Sequence, residues 1–477
     1  LSNDGQRVVF ASKAELDPAD SDVAADVFRF DRDSGIAQKT FLVSSNVANT
    51  LTTETAALSP DGEFVAFKAL AGLIAGDSNS TADIYLTEIG SSVFTPVSLD
   101  ASDEPRGNSD WPSVSGGGDR VAFIAPDPDS GIDQVYVWSR STGGVQRASM
   151  DVAGDPASAD CSEPMISGDG CAVVFLTTAT LTADAVNSAV TVYAHVIATG
   201  ETIAVSRGAA APDGDANWPS VSFYGSFVAF ASRATNLVAG DDVNGDTRDV
   251  FLYDLSGDTI SRLAQPTTDA AYPRISGDGR FIYYTTGGQS YLFDRRDDSV
   301  TQVTIVNDEP GNGSSFRGAV AVGVSGDLGV AFASGSTNLL PGVDDTFHFD
   351  VFFSELLTTP NEAPESTSDG LVTTNEDIAA TVQLSATDAD NSEVYFNVLS
   401  LPAHGMLLDD GVAITVDDLP WRVTNRHYRL TFAPAQDYNN TAADRDSFDV
   451  QVSDLFGPGD TATIELPVDN VNDDPVL

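Results

Sequence analysis

Hydrophobic and polar residues alternate along most of the chain in short runs. Examples are RVVF from Arg7, FVAF from Phe64 and VYVW from Val135, and Gly, Asp, Ser or Pro residues separate such runs. A hydrophobic period of two is typical of half-buried β-strands, and Gly, Asp and Ser favour the turns between strands. No long segment has the 3.6-residue period of an amphipathic helix. The pattern therefore predicts an all-β fold class.

One phrase recurs seven times: Ser, two variable residues and Gly, followed by an apolar strand that ends in Phe or Tyr, with the last copy one residue shorter. The copies start at Ser2, Ser59, Ser115, Ser167, Ser222, Ser276 and Ser325. The serines are 57, 56, 52, 55, 54 and 49 residues apart. Each copy continues with an Asp-rich loop and a second strand, such as DVFRF from Asp26. About four short strands in about 50 residues is the size of one β-propeller blade.

The phrase SPDG from Ser59, followed by strands such as DIY from Asp83 and DVF from Asp249, resembles the TolB-type β-propeller. The resemblance covers residues 1–357 and implies a propeller of seven blades. Propellers host hydrolases, lyases and binding modules alike, so it implies a fold and leaves the function open. The first copy begins at its turn, and the last ends without an obvious fourth strand. We therefore expect the parent chain to continue before Leu1.

The repeats stop at TTPNEAPE, residues 358–365, a Pro-containing segment typical of a linker. Residues 366–477 carry other phrases, including DAD at Asp388, PAHG at Pro402, DSF at Asp446 and NDDP at Asn472. These phrases resemble the cadherin-like, Ig-type module that occurs in tandem in large bacterial surface adhesins. The resemblance implies a C-terminal β-sandwich with joints to neighbouring domains at NEAP and NDDP.

The composition adds a large negative charge. Acidic residues number 71, of which 57 are Asp, against 23 basic residues, and the net charge is -48. Such a polyanion is repelled by nucleic acid and by anionic membranes. No stretch approaches the 18 consecutive apolar residues that a membrane span needs. Asp favours turns and also supplies the hard oxygen ligands that Ca²⁺ prefers, so calcium is the candidate cofactor. Adaptation to high salt is an alternative cause of an acidic surface.

Calcium at the domain joints is what the cadherin-like resemblance implies. One joint set is Glu362, Asp388 and Asp390, and the other is Glu376, Asn472, Asp473 and Asp474. A separate candidate surrounds Gly245 in the fifth copy, with oxygen ligands from Asp242, Asn244, Asp246 and Asp249. This spacing resembles the first half of a calcium loop, although the closing Glu of an EF-hand is absent. The alternative for every one of these residues is that it caps a turn.

Three aromatic residues occupy the same position, four residues before the repeat serine: Trp111, Trp218 and Tyr272. The innermost strand of a blade lines the central channel, so these rings are candidates to stack on a sugar or grip a peptide. The alternative is that they pack between adjacent blades and are held by the Pro that follows each one.

Catalytic motifs are missing from the sequence. The four His residues are not spaced as metal ligands, and no GxSxG elbow, P-loop or HExxH pair is present. Cys161 and Cys171 fall on a predicted hairpin in a register that places them too far apart for a disulfide, whereas an oxidising exterior would favour a bridge between them. The sequence therefore predicts no catalytic residue and no enzyme.

These observations predict a non-enzymatic extracellular or cell-surface structural and adhesion protein, stiffened by calcium at its joints. A subunit of a surface filament or layer would be one form of it. Its partners would be other surface proteins, copies of itself or glycans. An alternative is a propeller that binds a glycan or peptide at its channel mouth. A third hypothesis is a secreted polysaccharide-degrading enzyme.

Overall fold

The computed structural model describes residues 1–13, 16–18, 26–32, 40–43, 56–70, 73–74, 81–100, 106–183, 189–208, 211–240, 242–323, 327–340 and 349–471. The chain divides into two compact units, Leu1–Thr358 and Thr359–Leu477. Within the described ranges the helical elements are two short 3-10 turns, Gly116–Gly118 and Val416–Asp418. None of the described helices is long and apolar enough to cross a membrane. The fold class is all-β, which confirms the prediction from the alternating pattern.

Unit 1 consists of antiparallel sheets whose strands follow one another in chain order, numbered here as sheets 1 to 7. Sheet 1 contains the strands Arg7–Ser12, Asp26–Asp31 and Thr40–Leu42. Sheet 2 contains Ala56–Leu58, Phe64–Ala69, Asp83–Glu88 and Thr95–Pro96. Sheet 3 contains Asp110–Val114, Arg120–Pro126, Asp133–Ser139 and Val145–Arg147. Sheet 4 contains Cys161–Ile166, Ala172–Thr177, Thr191–Val196 and Glu201–Ala204. Sheet 5 contains Ala216–Val221, Phe227–Ser232, Asp249–Asp254 and Thr259–Ala264.

Sheet 6 contains Ala271–Ile275, Phe281–Thr286, Gln289–Asp294 and Ser299–Gln302, and sheet 7 contains Ser315–Val322, Asp327–Ser334 and Asp350–Leu357. A small hairpin, Ile305–Val306 with Glu309–Pro310, lies between them in the chain.

The sheets form a ring. From sheet 2 to sheet 7, the first strand of each sheet packs against the first strand of the next, so these strands line the inside. Sheets 1 and 7 meet through an ion pair between Arg32 and Glu355, whose Nη1 and Oε1 atoms are 2.8 Å apart. The Arg32 guanidinium also lies 4.8 Å from the centre of the Phe353 ring. Unit 1 is therefore a β-propeller.

The recurrent serine shapes the turn between the first two strands of a sheet. The buried hydroxyl of Ser59 accepts a hydrogen bond from the Phe64 N–H at 2.9 Å, and Ser276 does the same for Phe281 at 2.9 Å. The turns also bond to one another around the ring, as where the Phe223 N–H donates to the Gly277 carbonyl at 3.0 Å. The repeated phrase therefore serves both the turn and the contact between neighbouring sheets.

The cores of unit 1 lie between consecutive sheets. One cluster combines Val174 and Val192 of sheet 4 with Phe230 and Phe251 of sheet 5. The rings of Phe230 and Phe251, which are partners on adjacent strands, stack at 5.5 Å. The aromatic residue that ends the repeat phrase is thus a core residue.

Unit 2 contains two four-stranded sheets that share one core, to which Val382, Phe396, Leu407 and Phe448 contribute. In order across the first sheet, the strands are Ala380–Gln383, Arg429–Pro434, Gly405–Asp409 and Val412–Ala413. In order across the second sheet, they are Trp421–Arg422, Tyr395–Val398, Asp446–Ser453 and Pro458–Leu466. Two short pairs complete the unit, Glu365–Ser366 with Ala386–Thr387 and Thr374–Asn375 with Val468–Asp469.

Candidate functional site on the inner strands

The first strands of sheets 3 to 7 share a β-bulge, marked by a shift in pairing register. At each bulge one residue has a positive φ: Trp111 (53°), Glu163 (51°), Trp218 (52°), Tyr272 (54°) and Arg317 (42°). Such a backbone is rare for bulky residues and costs on the order of 1–3 kcal/mol. A bulge re-aims the side chain that it carries. Five positive-φ residues at equivalent bulges are the most distinctive feature of the inner strands.

The bulge residues of sheets 4 to 7 interact in order around the ring. The Trp218 N–H donates a hydrogen bond to the Glu163 Oε2 atom at 3.0 Å. The rings of Trp218 and Tyr272 are 4.7 Å apart with an interplanar angle of 44°. The Arg317 guanidinium lies 5.8 Å from the centre of the Tyr272 ring. These four residues, together with Arg274, are called the bulge cluster below.

Arg274 adds a second guanidinium to this cluster. It lies two residues beyond Tyr272, and its Nη1 atom donates to the Pro273 carbonyl at 3.0 Å. Burial raises the pKa of Glu163, while the charge of Arg274, the Trp218 N–H and the charge of Arg317 act in the opposite direction. Burial in turn lowers the pKa of Arg274, and Glu163 opposes that shift. The Glu163 carboxyl group therefore interacts with two guanidinium groups, that of the partly buried Arg274 and that of the exposed Arg317.

Of the three predicted ring residues, the structure brings Trp218 and Tyr272 together. Trp111 occupies the same position in sheet 3 and is 38% exposed, but within the described ranges it has no aromatic or cation–π partner. The contact of Trp218 with Tyr272 across adjacent sheets is compatible with either sequence-based hypothesis, because a packed pair can also present a binding face. Their role as ligand-binding residues stays a prediction.

Sequence reasoning missed Glu163, Arg274 and Arg317. A signal for Glu163 was present, because Pro164 follows it just as Pro219 follows Trp218. Arg317 had no such signal, since Gly318 replaces the Pro in the shorter seventh copy. A Cβ atom at Gly318 would lie 2.4 Å from the Tyr283 ring, which explains the small residue there.

The candidate calcium loop of sheet 5 contains a cation of its own. The Arg262 side chain is fully buried, with its Nε atom 3.4 Å from Asp249 Oδ2 and its Nη2 atom 3.8 Å from Asp242 Oδ2. The Asn244 amide donates to Asp249 Oδ1 at 2.7 Å. Asp246 is 90% exposed and lies 3.6 Å from Arg233. The structure thus brings Asp242, Asn244 and Asp249 together around a guanidinium and leaves Asp246 at the surface.

The first predicted joint set lies in unit 2. The Glu362 backbone N–H donates to Asp390 Oδ2 at 2.8 Å. Burial raises the pKa of Asp388 to about 7, and the adjacent Asp390 contributes to the shift. Burial also acts to raise the pKa of Asp390, but the interaction with Asp388 and hydrogen bonds from Ser392 and the Glu362 N–H lower it overall. Asp388 Oδ2 and Asn361 Oδ1 are buried without a hydrogen-bond partner among the described residues.

The second joint set is described only at Glu376, which is 6% exposed and accepts a hydrogen bond from the Val471 N–H at 2.5 Å. Asn472, Asp473 and Asp474 lie outside the described residues. Across the described ranges, no three His, Cys, Asp or Glu side chains gather as a metal site. Cys161 and Cys171 are free, as expected, and burial raises the pKa of Cys161 to about 11.

Comparison with known proteins gives similarity at the level of fold. Neither the known family models nor the curated proteins show a match to the sequence. Among solved structures, the chain is similar to TolB from Acinetobacter baumannii, with 18% identity, a TM-score of 0.39, and coverage of 63% of this chain and 64% of that one. It is also similar to an oligogalacturonate lyase in complex with manganese, with 10% identity, a TM-score of 0.48, and coverage of 75% of this chain and 88% of that one. A third similar structure is the β-propeller domain of the Trilobed protease from Pyrococcus furiosus, with 10% identity, a TM-score of 0.41, and coverage of 71% of this chain and 93% of that one.

These similarities support a TolB-like propeller and correct our functional expectation. Two of the three neighbours are by name a lyase and a protease domain. The expectation of a non-enzymatic adhesion protein stiffened by calcium, with a filament subunit as one form, is contradicted and is not pursued. The expectation that the chain is not an enzyme is contradicted as well. One neighbour was solved in complex with manganese.

Proposed function

We propose that the chain is a ligand-binding propeller that recognises a glycan or peptide through the bulge cluster. The observation that carries this proposal is the contact between Trp218 and Tyr272, two aromatic residues in positive-φ backbone on neighbouring inner strands. Backbone strain of this kind clusters at binding and catalytic sites, where the surrounding structure maintains it. Binding sites commonly combine aromatic walls with a few polar groups that orient the ligand, and Glu163 and Arg317 are such groups here.

A glycan and peptide array probed with the labelled protein tests this proposal. We expect the double variant Trp218→Ala/Tyr272→Ala to lose every ligand that the unmodified protein retains. Trp111→Ala is the matched control, because it removes the equivalent aromatic residue outside the cluster and should keep binding. Retention of all ligands by the double variant, or an array on which the unmodified protein binds nothing, would refute the proposal.

Turnover of the bound ligand is a second candidate function, favoured by Glu163. Burial raises the pKa of this carboxyl group, and a carboxyl group that acts as a general acid commonly has its pKa shifted in this direction. Each ligand found on the array should therefore be incubated with the protein and analysed for products. Product formation that Glu163→Gln abolishes, with binding retained, would support this function. Its absence across all bound ligands would leave a pure binding protein.

We further propose the context in which this site works. Unit 1 is inferred to have seven blades, one for each copy of the serine phrase. Unit 2 is inferred to be a cadherin-like module on the basis of its DAD and NDDP phrases. An extracellular location suits the acidic composition, with its net charge of -48. Glycans are the partners that this location makes accessible.

For unit 2 we propose a divalent cation, Ca²⁺, at Asp388 and Asp390. The support is chemical: Asp388 Oδ2 and Asn361 Oδ1 are buried oxygens without hydrogen-bond partners in the described part of the chain. Carboxylate and amide oxygens are the ligands that Ca²⁺ prefers, and a cation would displace the proton that Asp388 holds. The residues present therefore fit such an ion, and calcium-dependent unfolding of unit 2 tests the proposal.

A further inference from the structure

The two arginines of the bulge cluster have no carboxylate within ion-pair distance among the described residues, although the chain is rich in carboxylates. Acidic residues outnumber basic ones by 71 to 23. Arg280, by comparison, binds both carboxylate oxygens of Asp294 at 2.9 and 2.7 Å. In contrast, neither Arg274 nor Arg317 lies within 4.0 Å of a carboxylate oxygen of any described residue.

Their hydrogen-bonding capacity is also largely unused. Each guanidinium group carries five N–H donors. Within the described residues a single one of these donors is accepted, by the Pro273 carbonyl at 3.0 Å from Arg274 Nη1. Arg274 is partly buried, and such a guanidinium without acceptors is unfavourable unless water or a ligand supplies them, whereas Arg317 is exposed. The guanidinium groups of Arg274 and Arg317 therefore form a positively charged site, with few hydrogen-bond acceptors from the protein, in a chain of strongly negative net charge.

We infer that the bulge cluster selects an acidic carbohydrate, with Arg274 and Arg317 binding its carboxylate and the Trp218–Tyr272 pair contacting its ring. This inference rests on the proposed function of the same site and adds the class of ligand. Guanidinium groups bind carboxylates through paired, charge-assisted hydrogen bonds. With Glu163 ionised the cluster carries one net positive charge, which a single carboxylate neutralises.

The positions of the groups favour a carboxylate attached directly to a ring. The Tyr272 ring centre lies 4.7 Å from that of Trp218, with 44° between the ring planes, and 5.8 Å from the Arg317 guanidinium. A pair of aromatic rings and a cationic group are thus adjacent. A uronic acid residue has the same adjacency, since its carboxylate is bonded to the sugar ring. A neutral sugar would leave both guanidinium groups without an acceptor.

Isothermal titration calorimetry with the full chain tests the inference. The probes are trisaccharides of mannuronate and of galacturonate, and their carboxyl-reduced counterparts, in which each carboxylate becomes a hydroxymethyl group. We expect at least one acidic trisaccharide to bind ten-fold or more tightly than its reduced form, and to bind more weakly as salt increases. Arg317→Gln and Arg274→Gln should each remove most of that difference. Arg429→Gln, an exposed arginine of unit 2, is the control and should change nothing.

The outcomes separate this inference from the proposal beneath it. Arg317 is exposed, so Arg317→Gln should fold even where Arg274→Gln does not. Equal affinity for acidic and reduced trisaccharides, unchanged affinity in Arg317→Gln, or no binding of any acidic trisaccharide overturns the inference. If Trp218→Ala nevertheless loses the array ligands, the site stands and only its ligand class is wrong. Preference for peptides with a free carboxyl terminus over amidated peptides, with no uronate bound, would also overturn it.

Discussion

The backbone N–H of Trp218 donates a hydrogen bond to the side chain of Glu163 across two neighbouring sheets, with 3.0 Å between the nitrogen and Oε2. Both residues lie at positive-φ positions of their inner strands. A bulge leaves its extra residue outside the ladder of the sheet, and here the Glu163 carboxyl group accepts the hydrogen bond of that residue. Glu163 therefore helps to hold Trp218 in place and also sets the charge beside Arg274 and Arg317.

Replacing Glu163 by Gln should change how the stability of unit 1 depends on pH. Burial raises the pKa of Glu163 above its value in the unfolded chain, 4.5. The protonated form is thus favoured by folding, and this contribution is lost as the pH rises through the folded-state pKa. Thermal unfolding from pH 4 upward should show a smaller loss of stability in Glu163→Gln than in the unmodified protein. Glu63→Gln, at an exposed site, is the control, and an identical pH slope in all three proteins would contradict the prediction.

Trp218→Gly should separate stability from binding. Gly adopts positive φ without strain, so the variant relieves the backbone while it loses the ring contact with Tyr272. We expect the free energy of unfolding to change by about 1 kcal/mol or less, and the array ligands to be lost. Phe230→Ala is the comparison, because the loss of this fully buried ring should lower the free energy of unfolding by about 3–5 kcal/mol. A loss of stability in Trp218→Gly as large as that of Phe230→Ala would mean that the ring is a core element.

Arg262→Met should strongly destabilise unit 1. The substitution removes a guanidinium with no exposed surface and leaves Asp249, which is 1% exposed, with less compensation for its charge. Loss of one partner of a buried ion pair typically costs about 3–5 kcal/mol. Arg233→Met is the control, since its ion pairs with Asp246 and Asp269 involve solvent-exposed side chains and are expected to contribute about 1 kcal/mol or less each. Chemical unfolding of both variants measures the difference, and equal effects would show that Arg262 does not neutralise this loop.

Calcium should stabilise unit 2, and more strongly at pH 8 than at pH 6. The pKa of Asp388 is raised to about 7, so at pH 6 a cation must displace a proton that is largely absent at pH 8. Calorimetric unfolding in millimolar Ca²⁺ and after chelation is the measurement. At a hundred-fold excess over Kd, a ligand bound only by the folded state adds about 2.7 kcal/mol. Asp388→Asn should lose the effect and the exposed Asp417→Asn should keep it, whereas an unchanged transition after chelation would falsify the calcium proposal.

The β-structure of this protein could be predicted because its signals are local. The period of two in FVAF and VYVW places alternate residues on opposite faces of a strand wherever the strand lies in the fold. The serine phrase could be recognised because Ser59 and its equivalents bond to a backbone N–H five residues away. The alignment of Trp111, Trp218 and Tyr272 needed only the spacing to the serine. These features depend on residues that are close in sequence.

The composition of the candidate site was decided by tertiary structure. Glu163 and Arg317 are 154 residues apart in sequence and affect the same site, because the ring places the first strands of successive sheets side by side. The same holds in sheet 5, where Arg262 on the last strand reaches the acidic residues of an earlier loop. Alternation and turn chemistry are local properties that a sequence displays directly. Electrostatic pairing between distant residues depends on distance in space, which exists only once the strands have packed into the ring.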